Sequence, residues 1–155
     1  MIKYELKHEN AQAPVRGSDH AAGYDFHAAE CIRNTRYELW YDTGVAVQIP
    51  HGYFGDLRAR SSVSKTGLFL ANGAGVVDSD FRGTIQFRFY KLGRTEVPDL
   101  ETFHNAYPKE PILYDVGDRI GQLIVQKHYS NHGLCEVDAL SDTNRGEGGF
   151  GSTGT

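Results

Sequence analysis

From Thr84 to Phe89 the chain reads Thr-Ile-Gln-Phe-Arg-Phe, polar and apolar side chains in strict alternation. That two-residue period limits the fold more than any other feature of the sequence. Successive strand residues point to opposite faces, so such a run buries one face and wets the other. Strand-like runs recur at Leu39-Trp40-Tyr41, Gly44 to Ile49, Tyr53 to Arg58, Ile120 to Lys127 and Leu134 to Val137, with clusters such as Pro50-His51-Gly52 between them. Eighteen glycines, nine tyrosines and eight phenylalanines suit many short strands joined by tight turns. Helical periodicity is confined to one turn, Ser62 to Thr66, with Gly67 placed to close it. No internal repeat is present. The expectation is an all-β sandwich or barrel.

At 155 residues the chain makes one domain with a real core. A formal charge of −4 and a pI near 5.9 exclude the basic face that a nucleic-acid polymer needs, but not a few local arginines around a single nucleotide. No apolar run approaches the roughly 20 residues of a membrane span, and Met1 to Glu5 lacks a signal-peptide stretch. Cys31 and Cys135 lie far apart, which predicts two reduced, partly buried thiols and a cytoplasmic protein (host cytoplasm if the source is viral). Two stretches break the strand spacing. Residues 91–116 hold three of the five prolines and an acidic patch, too long for an ordinary connection. Residues 141–155 are Gly-rich with only Phe150 to bury, so the body is expected at 1–140 and a flexible arm at 141–155.

Five clusters suit one anionic ligand. Ala22-Gly23-Tyr24-Asp25 places a carboxylate at a strand start. Arg58-Ala59-Arg60-Ser61-Ser62 leads hydroxyls and charge-assisted donors into the helical turn, an anion site or a simple cap. Asn72-Gly73-Ala74-Gly75 has little side-chain bulk, so a planar ligand could lie against bare backbone. It runs into Gly75-Val76-Val77-Asp78-Ser79-Asp80-Phe81-Arg82-Gly83, read as a strand, an acidic turn and the start of a return strand. A carboxylate at such a hairpin mouth suits a general base. Gly117-Asp118-Arg119-Ile120-Gly121-Gln122 offers a glutamine amide, with Asp118 and Arg119 expected as a buried structural pair. Arg145-Gly146-Glu147-Gly148-Gly149-Phe150-Gly151-Ser152-Thr153-Gly154 lacks the lysine of a P-loop and reads as an arm that orders on binding. His128 and His132, four apart near a strand end, do not share a face and are expected as solvated side chains rather than metal ligands.

In this order and at these positions the clusters resemble the five motifs of the trimeric deoxyuridine triphosphatase (dUTPase) family. The likeness runs from about residue 16 to the C-terminus, except for 91–116. It implies a distorted jelly-roll, a homotrimer with the C-terminal arm exchanged between subunits, Mg²⁺, and hydrolysis of dUTP to dUMP and pyrophosphate. By the same resemblance Asp78 activates the attacking water, and Asp25 holds magnesium through water, the triphosphate carrying most of the ion. Arg60, Ser61, Ser62 and Gln122 hold phosphates. Asn72 and backbone groups from Gly73 to Val77, Gly75 and Val77 among them, read uracil, and Phe81 lies under the deoxyribose. Arg145, Gly151, Ser152 and Thr153 close over the phosphates while Phe150 caps the base. Most family members have tyrosine where Phe81 stands. A related deaminase would need a glutamate in the central segment, which carries Asp78 instead. Residues 91–116 form an inserted excursion that could meet a protein partner.

Overall fold

A computed structural model describes residues 1–92, 110–129 and 133–148. Ten strands form two antiparallel sheets: β1 (Lys3–Leu6), β2 (Val15–Arg16), β3 (Tyr24–His27), β4 (Glu30–Asn34), β5 (Glu38–Gln48), β6 (Tyr53–Ala59), β7 (Leu68–Leu70), β8 (Gly75–Val77), β9 (Thr84–Lys91) and β10 (Arg119–Lys127). One sheet runs β1-β5-β9-β7, with β4 also on β5; the other runs β2-β3-β10-β6-β8. This is the all-β class expected from the alternation, and the distorted jelly-roll that the resemblance implies. The inward faces supply the core: Leu39, Tyr41 and Val45 of β5, Ile85, Phe87 and Phe89 of β9, Phe26 of β3, and Ile120 and Leu123 of β10, all at most 2% exposed. Phe87 reaches across the core to β10 opposite Gly121, where a Cβ would stand 2.0 Å from its ring. Only glycine leaves that ring its space.

Several local expectations change. Leu39 to Tyr41 and Gly44 to Gln48 belong to one long strand, β5, whose register with β9 shifts between Asp42 and Ala46, while Ile49 lies just past its end. Gly75–Val77 and Thr84–Phe89 do not form a hairpin: β8 pairs with β6 in one sheet, while β9 pairs with β5 and β7 in the other. Residues 78–83 therefore cross between the sheets. Leu134 to Val137 is not a strand, because no strand among the described residues pairs with it, and Leu134 and Val137 stand exposed. Cys31 and Cys135 are free but exposed rather than partly buried, Cys31 lying on a strand with no covered face. The helical turn is a 3₁₀ segment, Ser61–Lys65, with Gly67 at φ 69° just past its end.

Tyr41 ties the far end of the 91–116 excursion to the core. Its buried hydroxyl donates to the Tyr114 carbonyl (2.8 Å) and accepts from the Tyr114 N–H (2.9 Å). The two roots of the excursion also meet: Leu92 N–H donates to the Gly67 carbonyl (2.9 Å) and Ile112 N–H to the adjacent Thr66 carbonyl (2.8 Å). Burial pushes the Tyr41 phenol up to about 12, only partly offset by the Tyr114 bond. Above pH 10 the unfolded chain releases this proton while the folded chain keeps it, so stability should fall as pH rises from 10 toward 12. Tyr41→Phe should cost about 1–3 kcal/mol at neutral pH, by orphaning the Tyr114 backbone groups. It should also flatten the alkaline decline, as denaturant titrations at pH 8 and pH 11 would read.

Candidate functional site

Asp25 on β3 lies opposite Gln122 of β10, and Gln122 lies opposite Arg58 of β6, so three motifs share one row of the sheet. Two guanidiniums converge on Asp25: Arg60 Nε at 3.4 Å and Arg119 Nη1 at 3.2 Å. The carboxylate is 13% exposed and its partners are 27% and 46% exposed, so the group opens to solvent on its cationic side. One carboxylate between two guanidiniums leaves a local excess of positive charge, suited to a phosphate chain. Arg60 directly precedes the 3₁₀ segment, and Ser61 and Ser62 beside it are exposed. Gln122 donates to the Ala59 carbonyl at 3.5 Å. Its Oε1 lies 2.7 Å from where a Cβ on Gly23 would be, so glycine at that point makes room for the amide.

The expected buried Asp118–Arg119 pair is not formed. Asp118 accepts from the Asp115 N–H (2.8 Å), while Arg119 reaches across the ladder to Asp25. Residues 118 and 119 are neighbours on a turn entering a strand, and their side chains diverge. His27, opposite Arg119 in the β3–β10 ladder, was not legible as part of this group. Its Nδ1 is buried with no hydrogen-bond partner among the described residues. Burial pushes its pKa below 6.5, Arg119 and Arg60 push the same way, and Asp25 opposes them. A lone histidine two residues from an aspartate carries no sequence signal of this role.

The central segment lies elsewhere. Asn72 and Gly75 line a cavity of about 250 Å³ with Leu57, Leu70, Gln86 and Phe87. β8 is the edge strand of its sheet, so one row of its backbone N–H and C=O groups has no strand partner. The Val77 side chain is in the core, which leaves only its main chain to meet a ligand. Asp78 is exposed, and its carboxylate has no hydrogen bond or ion pair among the described residues. The turn it opens is held by Phe81 N–H on the Asp78 carbonyl (3.2 Å) and by Arg82 Nη1 on the carbonyls of Ser79 and Phe81 (2.8 and 2.7 Å). Phe81 is 44% exposed with its ring against Gly83.

These two halves of the motif set do not meet within one chain. Val77 pairs with Gly55, so Asp78 falls opposite Phe54, and Arg60 lies six residues further along. At about 3.3 Å per residue, Asp78 and Arg60 are separated by about 20 Å along the sheet. Arg145 lies on an exposed turn with its Nε on the Gly148 carbonyl (2.9 Å). Phe150, Gly151, Ser152 and Thr153 lie outside the described residues, as do His132 and residues 93–109 of the excursion.

A family model described as dUTPase matches residues 9–98 and 102–154. The deoxyuridine 5'-triphosphate nucleotidohydrolase of Escherichia phage T5 is 44% identical over 163 residues, spanning 100% of this chain and 99% of that protein. The Mus musculus protein of the same name is 37% identical over 154 residues, spanning 99% of this chain and 85% of its own length. Among solved structures, the dUTPase of Staphylococcus bacteriophage 80alpha with dUpNHpp aligns at a TM-score of 0.80 and 30% identity, covering 100% of this chain and 99% of that one.

Proposed function

This chain belongs to the dUTPase family and hydrolyses dUTP to dUMP and pyrophosphate, and on that premise we propose that each active site is assembled from several copies of the chain in a homotrimer. The observation that carries the proposal is the separation of about 20 Å between Asp78 and the Arg60–Asp25–Arg119 group. A triphosphate gripped by Arg60 of one chain leaves its α-phosphorus out of reach of that chain's Asp78. A neighbouring copy supplies the missing carboxylate. A second support lies at the surface. An apolar groove of about 570 Å³, lined by Ile2, Tyr4, Pro14, Tyr24, Val47 and Val125, has no cover among the described residues, and Leu134, Val137 and Leu140 stand exposed. Burying those three side chains in another copy's groove would hand the C-terminal arm across to it.

Asp78 takes the proton of a water that attacks the α-phosphorus. The new O–P bond forms as the bridging P–O bond breaks, and pyrophosphate leaves. Little more than positioning and charge neutralisation is needed from the protein. Arg60 and Arg119 already point donors at one place; Ser61, Ser62 and Gln122 add neutral ones, and Arg145, Gly151, Ser152 and Thr153 close over the far phosphates. Phe150 stacks on the base, and Phe81 supports the sugar with a ring that lacks a hydroxyl. Asn72 and the free edge of β8 read uracil.

Magnesium fits this donor set. Among the described residues no three His, Cys, Asp or Glu side chains gather as a cage, and Asp25 is the one carboxylate beside the arginines. Asp25 would hold the ion through water, while triphosphate oxygens and further waters complete a hard oxygen shell. When bound, the ion neutralises phosphate charge. The two exposed free thiols suit a reducing compartment and support a cytoplasmic reaction, in the host cytoplasm if the source is viral. The 91–116 excursion serves as an accessory surface for a protein partner.

Pyrophosphate release across dUTP, dCTP, dTTP and UTP, combined with sedimentation, tests this reading. dUTP alone should turn over with magnesium supplied, and the active species should sediment as a trimer. An active monomer would end the shared-site proposal. In the same assay, a chain with residues 93–111 replaced by a short glycine bridge should keep its turnover; loss of turnover would make the excursion part of the site.

A further inference from the structure

We infer that Tyr114 is a positioning residue for the phosphate contacts, its buried hydroxyl bracing the turn that carries Arg60, Ser61 and Ser62. The inference rests on reading those three residues as holders of the triphosphate. Tyr114 stands on the returning limb of the 91–116 excursion, where its backbone and ring are fixed. Its N–H and carbonyl are both bonded to the Tyr41 hydroxyl. Its ring meets Tyr41 edge-on (5.9 Å between centroids) and Phe89 at a tilt (5.7 Å). Two residues earlier, Ile112 N–H donates to the Thr66 carbonyl (2.8 Å).

Arg60 and Thr66 are the two ends of the 3₁₀ segment. Between them the Thr66 N–H and hydroxyl both donate to the Val63 carbonyl (3.0 and 2.8 Å), and the Val63 N–H donates to the Arg60 carbonyl (3.0 Å). The backbone of the turn is therefore held, but among the described residues only Asp25, at 3.4 Å, holds the Arg60 guanidinium. The Tyr114 hydroxyl is buried and makes no hydrogen bond among the described residues. Burial raises its pKa, the Thr66 hydroxyl and the Arg60 guanidinium lower it, and Asp118 raises it. Thr66 thus stands near the phenol but outside hydrogen-bond geometry. Its Oγ1 gives its proton to Val63 and one lone pair to the Leu68 N–H (3.2 Å), so the other lone pair stays open. The phenol can donate to that lone pair and accept from Arg60, joining the two ends of the turn. A slight tightening of the turn around a triphosphate completes both bonds. A buried hydroxyl left unpaired destabilises the empty protein, and bonds made only in the occupied site offset that cost. The hydroxyl therefore favours the occupied pose of Arg60 over the empty one.

Tyr114→Phe deletes the hydroxyl and leaves the ring on Tyr41 and Phe89. We expect KM for dUTP to rise about tenfold with kcat within about twofold, and the affinity for a non-hydrolysable dUTP analogue to fall by about the same tenfold factor. Deoxyuridine, which has no phosphate, should inhibit as it does the native protein. Melting temperature of the empty protein should hold or rise, because an unpaired buried hydroxyl has gone. Function and stability then move in opposite senses, which a merely structural ring would not do. Unchanged affinity for the analogue, or equal losses for the analogue and deoxyuridine, would overturn the inference. Arg60→Gln is the companion that separates the two levels. Weaker analogue binding in Arg60→Gln with none in Tyr114→Phe overturns the role of Tyr114 alone. Unchanged analogue binding in Arg60→Gln overturns the placement of the phosphates, and the inference with it.

Discussion

Asp78→Asn should leave dUTP bound and all but stop its hydrolysis. The change is isosteric, and the Asp78 carboxylate is exposed without a protein partner among the described residues, so folding has little to lose. The proposed assignment gives phosphate and base contacts to other residues, so binding measured with a non-hydrolysable analogue should stay within about twofold. What disappears is the proton acceptor. A positioned general base contributes typically 10²–10⁴-fold, so kcat should fall by roughly that factor while KM barely moves. The backbone bond from Phe81 to the Asp78 carbonyl is untouched, so the turn stays in place and the loss reports chemistry. Undiminished turnover in the variant would take the base role away from this residue.

Chains ending at Asn144 should be nearly inactive alone, by roughly 10²-fold or more, because the far phosphates lose their closing groups. Mixing them with Asp78→Asn chains should restore what neither has by itself. If arm and base reach a given site from different subunits, about one site in four of a randomly assorted assembly is complete. Co-refolded mixtures assayed for pyrophosphate release should therefore recover about a quarter of native activity. No recovery in mixtures that demonstrably contain hetero-assemblies would mean that base and arm come from the same chain.

Alternation made β9 and the first half of β5 legible, because each buries one face; β6, β10 and the rest of β5, where consecutive residues are buried, were legible from apolar composition between turns. The early strands escaped detection for the opposite reason: β1, β2 and β4 are exposed along their whole length, so no period marks them. Leu134 to Val137 has the composition of a strand without a neighbour to pair with. Partner choice was also invisible. A two-residue period says which face is buried and nothing about which strand lies alongside, so β8 and β9 looked like a hairpin while lying in different sheets. In the site, residues inside dense motifs were readable: Asp25, Arg60 and Gln122 gather as their spacing suggested. His27 was not, since it is one polar side chain in an ordinary strand and acquires meaning only from what folds against it. Arg119 was misassigned to its sequence neighbour because a turn hides which way its side chain leaves.

The roots of the excursion at Leu92 and Ile112 seize consecutive carbonyls, those of Gly67 and Thr66. Whatever joins them begins and ends at one point of the barrel wall, so its length is uncoupled from the packing beneath. Loop closure adds only about 0.6 kcal/mol for each doubling in length. Lineages can therefore exchange this segment wholesale, gaining or shedding an adaptor, while the hydrolase beneath keeps its architecture. The same port would accept a reporter or affinity peptide in the laboratory.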